Sequence, residues 1–226
     1  MQTLIISDIH GCYDELQALL DQSGIGDDDR IICIGDLLDK GPQPRAVLDY
    51  FMATPNASSI RGNHEQKHID NITGKTAPRA AQLLTRWHLD ENYGKAVAWM
   101  QGLPLYMDLP DALLVHGYYE PGIAPTEQRE DVLLGFSSGE KHLKANYDQP
   151  WFMQYDGDKP IVVGHRDYTN LEKVMIYNER VYCIDTRCVY GGSLTGLLLP
   201  EWRLISVPAR ENHWQSVGAM HNLSDL

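Results

Sequence analysis

No segment of this 226-residue chain reaches eighteen uninterrupted apolar residues, so no membrane-spanning helix is expected. Nor does the N-terminus show a basic stretch, an apolar run and a small-residue cleavage site in succession, which argues against export by a standard signal. Positive charge is scarce. The chain has 19 Lys and Arg against 31 Asp and Glu, a formal net charge of −12 with His neutral. Such a surface repels polyanions on average, so bulk nucleic-acid binding and a basic membrane-docking face are disfavoured, while a local cationic site is not. The four thiols, Cys12, Cys33, Cys183 and Cys188, form no C-x-x-C pair, and two of them lie inside apolar, strand-like runs. That usage fits buried free thiols in a reducing, cytoplasmic setting. Internal repeats and low-complexity linkers are absent as well. With 43% hydrophobic residues, the chain can bury a sizeable core as one domain, at most with a small subdomain.

Short apolar runs alternate with amphipathic segments through the first third. A strand over 2–6 is followed by a helix over 13–22, the run "RIICIG", a helix over 44–53 and the run "ASSIRG". This rhythm predicts a parallel core sheet with crossover helices. From His64 to Gly102 apolar residues recur at helical spacing and "GLP" marks the stop. From Ala112 strands return as "ALLVHG", "PIVVGH", "KVMIYN", "RVYCID", "LTGLLLP" and "WRLISVP", with "NER" and "PEW" as hairpin turns. The reading is mixed α and β, with one sheet fed by crossovers, one by hairpins, and helices on their outer faces. A tail over 209–226 shows no clear period and is expected to pack on the surface.

Polar clusters recur where strands end: Asp8 and His10 in "SDIHG", Asp36 and Asp39 in "GDLLDKG", Asn63 and His64 in "RGNHE", His116 in "LLVHG" and His165 in "VVGHR". Burying ionisable groups at strand ends is costly unless something pairs with them or uses them. In open sheets, loops from several strands converge at the carboxyl ends, so the spacing predicts a site there. Carboxylates, imidazoles and an asparagine carbonyl suit borderline-hard divalent cations such as manganese, iron or zinc. The donors are too many for one ordinary ion. They suit two ions sharing a bridging carboxylate, an arrangement that activates water and neutralises charge on a transferring phosphoryl group.

These motifs together resemble the phosphoprotein phosphatase branch of the metallophosphoesterases, with signatures G-D-x-H-G, G-D-x-x-D-R-G and G-N-H-E and two late strand-terminal histidines. The likeness runs from about Ile5 to Pro208 and is strongest to small bacterial members and to the phosphatase domain of bacterial polynucleotide kinase-phosphatases, which share a stretch similar to "YCIDTRCVYGGSLTGLLLPE". The resemblance implies a four-layer α/β/β/α sandwich over 1–208, with 64–110 as a mostly helical insertion between motifs. It also implies two divalent ions, manganese first, with iron, zinc or nickel as the other candidates. Asp8 and His10 would hold one ion, Asp36 would bridge both, and Asn63, His116 and His165 would complete the second. His64 would donate a proton to the leaving oxygen, oriented by Asp39, and Asp185 matches an aspartate near the active site of these relatives.

Departures from the family pattern bear on substrate. Lys40 stands where arginine is usual, and a lysine grips phosphate as a point charge rather than a planar fork. Arg129 and Arg166 are the candidates for a second phosphate-binding arginine, and Tyr118 and Tyr119 are candidates to floor an apolar entrance. The leading expectation is a phosphate-monoester hydrolase working by attack of a metal-bound hydroxide on phosphoserine, phosphothreonine or phosphotyrosine in proteins. A bis(5'-nucleosyl)-tetraphosphatase or nucleotide phosphodiesterase on the same scaffold comes second. Asp39 leans the reading towards the protein phosphatase. A metal-binding scaffold without catalysis comes last, because every ligand and the proton donor are present. The expected partner is a phosphorylated protein or a small phosphoester.

Overall fold

The computed structural model describes residues 1–221, so the last five residues of the tail lie outside the described residues. Two five-stranded sheets stack face to face. The first contains β1 (Thr3–Ile6), β2 (Arg30–Cys33), β3 (Ala57–Ser59), β9 (Ser193–Leu199) and β10 (Arg203–Pro208), in the order β10-β9-β1-β2-β3. The second contains β4 (Tyr106–Asp108), β5 (Leu113–Val115), β6 (Ile161–Val163), β7 (Met175–Tyr177) and β8 (Val181–Cys183), in the order β4-β5-β6-β8-β7. Both sheets are mixed. Each has three parallel strands joined by crossovers, flanked in the first by the antiparallel hairpin β9–β10 at one edge and in the second by an antiparallel strand at each edge, β4 against β5 and β7 against β8. The expected division into one crossover sheet and one hairpin sheet is therefore replaced by two sheets that each combine crossovers with antiparallel edges.

Strand alternation explains the stacking, because successive side chains point to opposite faces. Leu4, Ile6, Ile31 and Cys33 point to the helix-covered face of the first sheet, whereas Ile5 and Ile32 point into the space between the sheets. Leu114, Val162 and Tyr182 enter that space from the other side, while their neighbours Leu113, Val115, Ile161, Val163, Val181 and Cys183 face outward. Sheets apolar on both faces need a cover on each. On the first sheet it comes from α1 (Tyr13–Ser23), α2 (Pro44–Ala53) and helices of the 64–102 segment. On the second it comes from α6 (Glu130–Leu133), α7 (Ser137–Asn146) and the aromatic turn at Trp151. Four layers, α/β/β/α, result.

The segment read as helical from His64 to Gly102 holds three helices, α3 (Asn63–Ile72), α4 (Ala80–Leu89) and α5 (Tyr93–Gln101). Gly74 and Pro78 separate the first two, since neither residue continues a helix comfortably. Sequence reasoning missed β4, α6, α7 and a last helix, α8 (His213–Met220). α7, "SSGEKHLKAN", has one buried aliphatic side chain, Leu143, and so shows no apolar stripe. α8 is anchored by buried His213, whose Nε2 lies 2.8 Å from Glu15 Oε1 on α1. All four cysteines are buried and free. No helix among the described residues is long and apolar enough to cross a membrane.

Ile32 is fully buried between the sheets, and truncating it leaves a cavity that two rigid layers cannot close. Ile32→Ala is expected to lower unfolding free energy by about 2–5 kcal/mol. Leu204→Ala, on the half-exposed face of β10, should stay within about 0.5 kcal/mol. Urea titrations of the two variants check both values.

Candidate active site

The carboxyl ends of β1, β2, β3, β5, β6 and β8 all meet on one side of the stacked sheets. The loops there bring together Asp8, His10, Asp36, Lys40, Asn63, His64, His165, Arg166 and Asp185 around a cleft of about 340 Å³. His116, fully buried beneath it, points Nε2 at Asp36 Oδ1, 3.4 Å away. Every residue expected to ligate metal thus lies in one place. Asp39 sits behind the wall, fully buried, and reaches the cleft through His64.

Asp36 is the centre of the arrangement. Two groups of potential ligands share it, one with His10 and His64, the other with His116 and His165, and within each group the donor atoms lie within 4.8 Å of one another. The donor set therefore fits two divalent ions, and its chemistry supports this in three ways. The Nδ1–H of His10 donates to the Leu38 carbonyl at 2.7 Å and that of His116 to the Ile34 carbonyl at 2.8 Å, which leaves Nε2 of both rings as the free lone pair. Backbone pairing of this kind fixes the tautomer of a ligand histidine. Burial then pushes the His10 and His165 imidazoles down, the latter to about 3, so both are neutral as ligands must be. Among the carboxylates, burial works against Asp36, yet His116, His64, His10 and Lys40 hold its acid well below the usual range. Asp8 goes the other way, raised by burial and then by facing Asp185 and Asp36. Three carboxylates in one buried wall call for cationic partners, and an ion placed among them relieves the repulsion.

The backbone is bent to achieve this. His10, Asp36, Asp39, Lys40 and His165 all have positive φ, between 48° and 71°, a region non-glycine residues avoid and which concentrates at functional sites. Gly62 is required for a different reason: a Cβ there would come within 2.3 Å of Asp36 Oδ1. Glu65, which sequence reasoning missed, clips the turn by accepting N–H bonds from Asp36, Leu37 and Gly62 at 2.8–2.9 Å. Asn63 and His64 open α3, and the His64 N–H donates to Asp36 Oδ1 at 2.9 Å, placing that carboxylate at a helix N-terminus.

Asp39 Oδ2 lies 2.6 Å from His64 Nδ1, the pairing expected from the motif. How thoroughly that carboxylate is held was not legible from the motif. His68 Nε2 approaches Oδ1 at 2.9 Å, Thr85 donates to Oδ1 at 2.6 Å and Gln82 donates to Oδ2 at 2.5 Å. Burial opposes its ionisation, but the bonds from His64 and His68 keep its acid well below the ordinary value. Lys67, also missed, places Nζ 3.2 Å from His64 Nε2.

Of the phosphate-binding candidates, Lys40 donates to His10 Nε2 at 2.8 Å, so its amine reaches the metal side of the cleft and competes with an ion for that lone pair. Arg166 lines the cleft while pairing with Glu140 at 2.8 Å. Arg129 does not. It is about half exposed, pairs with Asp131 and borders a separate depression beside Gln66 and Lys75. Arg187 lines the cleft instead, its guanidinium 4.8 Å from the Tyr190 ring and its backbone N–H donating to Asp185 Oδ1 at 2.8 Å. It lies two residues past Asp185 in "CIDTRC", the one signal that could have found it. Tyr118 packs its ring 5.5 Å from that of His165, whereas Tyr119 bonds the Ile123 carbonyl within the core.

Residues 1–195 match the calcineurin-like phosphoesterase family. The asymmetrical bis(5'-nucleosyl)-tetraphosphatase PrpE of Halalkalibacterium halodurans is 31% identical over 93% of this chain and 95% of its own length. Its counterpart in Geobacillus thermodenitrificans is 31% identical over 92% and 95%. A crystal structure of a candidate diadenosine tetraphosphatase superposes with a TM-score of 0.77 at 24% identity, covering 92% of this chain and 93% of that one, a likeness of fold. These relatives overturn the expectation of a protein serine/threonine phosphatase, while the expected metallophosphoesterase superfamily holds, its relatives here being tetraphosphatases rather than phosphoprotein phosphatases. Asp39 paired with His64 does not separate the two activities, because the pair serves any leaving oxygen.

Since Asp36 belongs to both ligand groups, Asp36→Asn is expected to reduce bound metal from two ions per chain to one or fewer and to abolish turnover. Elemental analysis after dialysis against manganese, alongside the wild type, measures the first quantity. Two retained ions would show that another group does the bridging.

Proposed function

The chain belongs to the calcineurin-like phosphoesterase family, and from that premise we propose that it hydrolyses dinucleoside tetraphosphates asymmetrically, giving a nucleoside triphosphate and a nucleoside monophosphate. The observation that carries this reading is the nearly end-to-end match to tetraphosphatases, at 31% identity over 93% of the chain. The ligand geometry around Asp36 supports it, since a metal-dependent phosphoric ester hydrolase needs that centre whichever ester or anhydride it splits.

In this reading Asp8 and His10 would hold one ion, Asn63, His116 and His165 the other, and Asp36 would serve both; the carboxylate and carbonyl donors suit manganese and the imidazoles also admit iron, zinc or nickel. Two divalent ions there supply charge neutralisation at the phosphoryl group and activation of water. The remaining work falls to the protein. Asp39 holds His64 by Nδ1, so its Nε2 is the atom able to carry a proton to the departing oxygen. A departing phosphate is much less basic than an alkoxide, so the anhydride draws less on that proton than a serine ester would. Lys40, Arg166 and Arg187 grip the phosphate chain, a local cationic lining in a molecule of net charge −12. Asp185 holds the turn that carries Arg187 through that residue's backbone N–H, and faces Asp8. Being a carboxylate, it acts toward cations rather than toward phosphate directly.

The test uses metal-stripped protein resupplied separately with manganese, nickel, zinc and magnesium. It is assayed on diadenosine tetraphosphate, a phosphoserine peptide and bis(p-nitrophenyl) phosphate, with products resolved by ion-exchange chromatography. ATP and AMP in equal amounts, with manganese the best activator, is the expected result. Two ADP per substrate, or faster turnover of the peptide, overturns the proposal.

His64→Asn tests the proton role. Turnover of the tetraphosphate should fall by less than the roughly 10²- to 10⁴-fold typical of general acid catalysis, with two ions per chain retained. Loss of an ion in that variant would make His64 a ligand instead.

A further inference from the structure

Beside the metal cleft lies a second cavity of about 420 Å³, within the roughly 300–1,000 Å³ of small-molecule sites. Its character is different. Tyr118, Leu143, Tyr147, Trp151, Phe152 and Tyr168 line it, whereas the cleft is walled largely by ionisable side chains. The rings are fixed edge to face: Phe152 and Tyr168 have centroids 5.5 Å apart at 83°, and Trp151 donates its Nε1–H to the Tyr168 hydroxyl at 3.0 Å. A wall so braced is preorganised for a flat partner.

The two cavities share a wall. Arg166, Asp167 and Asn170 line both. Arg166 is the partition, held to Glu140 at 2.8 Å on the aromatic side, with its guanidinium 6.0 Å from the Tyr168 ring. Lys144, Asp148, Gln149 and Asn170 add donors and acceptors to the aromatic cavity. An occupant therefore needs an apolar flat body, hydrogen-bonding edges and a phosphate reaching past an arginine. A purine nucleoside phosphate has all three.

We infer that this aromatic cavity is the subsite for the nucleobase of the nucleoside beside the attacked phosphate, with Arg166 gripping the phosphate that joins the two cavities. The inference rests on the tetraphosphatase reading for its substrate and adds what sets the point of attack. A base seated against the wall of the metal cleft would hold its phosphate beside the ligand groups, and asymmetric cleavage requires attack at a phosphate close to one nucleoside. It also explains binding of a polyanion by an acidic protein, because base–aromatic stacking is indifferent to net charge.

Two measurements decide it. In saturation-transfer NMR with the wild type, adenosine, which has no phosphate to engage the ions, should receive saturation on its purine protons more than on its ribose. Adenosine should also compete with diadenosine tetraphosphate. In Phe152→Leu, which keeps an apolar group and removes a ring, the purine signal should vanish. The Michaelis constant for the tetraphosphate should rise about tenfold, as loss of one stacking partner implies, with kcat and the inhibition constant of inorganic tripolyphosphate unchanged. Absence of adenosine contact in the wild type overturns the subsite, and that arm needs no variant to fold. A tetraphosphatase whose kinetics are indifferent to Phe152→Leu overturns the subsite alone. A protein that binds adenosine through its purine yet does not split the tetraphosphate supports the subsite and removes the proposed function.

Discussion

An ionised carboxylate at 2% exposure is the constraint around which this molecule is built. Removing a charge from water costs several kcal/mol after relaxation, and Asp36 meets that cost only if imidazoles, a helix N-terminus and cations surround it together. Each requirement fixes a piece of chain. The His64 N–H must reach Asp36 Oδ1, so α3 must start immediately after β3. Gly62 must lack a side chain, because its α-carbon passes beside that oxygen. His116 must come from the second sheet, so the two sheets must stack with their carboxyl ends aligned. A strained backbone at five site residues is tolerable because the flanking strands, buried on both faces, cannot yield to it.

The site has two kinds of wall, and they answer different questions. The metal-facing wall determines what reaction is accessible, and it would look the same for a serine phosphate or for a phosphoanhydride. Its ligands and the His64–Asp39 pair therefore carry no information about what lies beyond the phosphoryl group, which is why the same motifs led first to a protein phosphatase. In the proposed reading, substrate is chosen by the outer wall: Arg166, Arg187, Lys40 and the aromatic cavity. Those residues come from loops after β6, β8 and β2 and from the turn around Trp151.

Elements with a strong local signature were legible from the amino-acid sequence. The strand-end motifs placed Asp8, His10, Asp36, Asn63, His116 and His165 at the carboxyl ends of strands, and α2 was bounded correctly over 44–53, since proline at its first position and an apolar stripe are local facts. Elements without such a signature were not. α7 buries one leucine and β4 spans three residues, so neither shows a period, and α8 buries only His213 and Val217, the histidine pairing with Glu15 on α1.

By itself the sequence determined two sheets needing helices on their outer faces and a set of metal-capable donors at strand ends, because short apolar runs and glycine-flanked ionisable residues are readable within a few positions; the α/β/β/α layering was implied by the likeness of the motifs to a known family. Only the tertiary structure decided which pieces serve that site. It set Arg166 at the cleft and Arg129 on a separate surface, a choice no spacing encodes. It brought Gln82 and Thr85 onto Asp39 across more than forty residues, and it gathered aromatic side chains separated by up to fifty positions into one cavity. Contacts of that range depend on how the loops close over the stacked sheets, and a linear pattern holds no record of the closure.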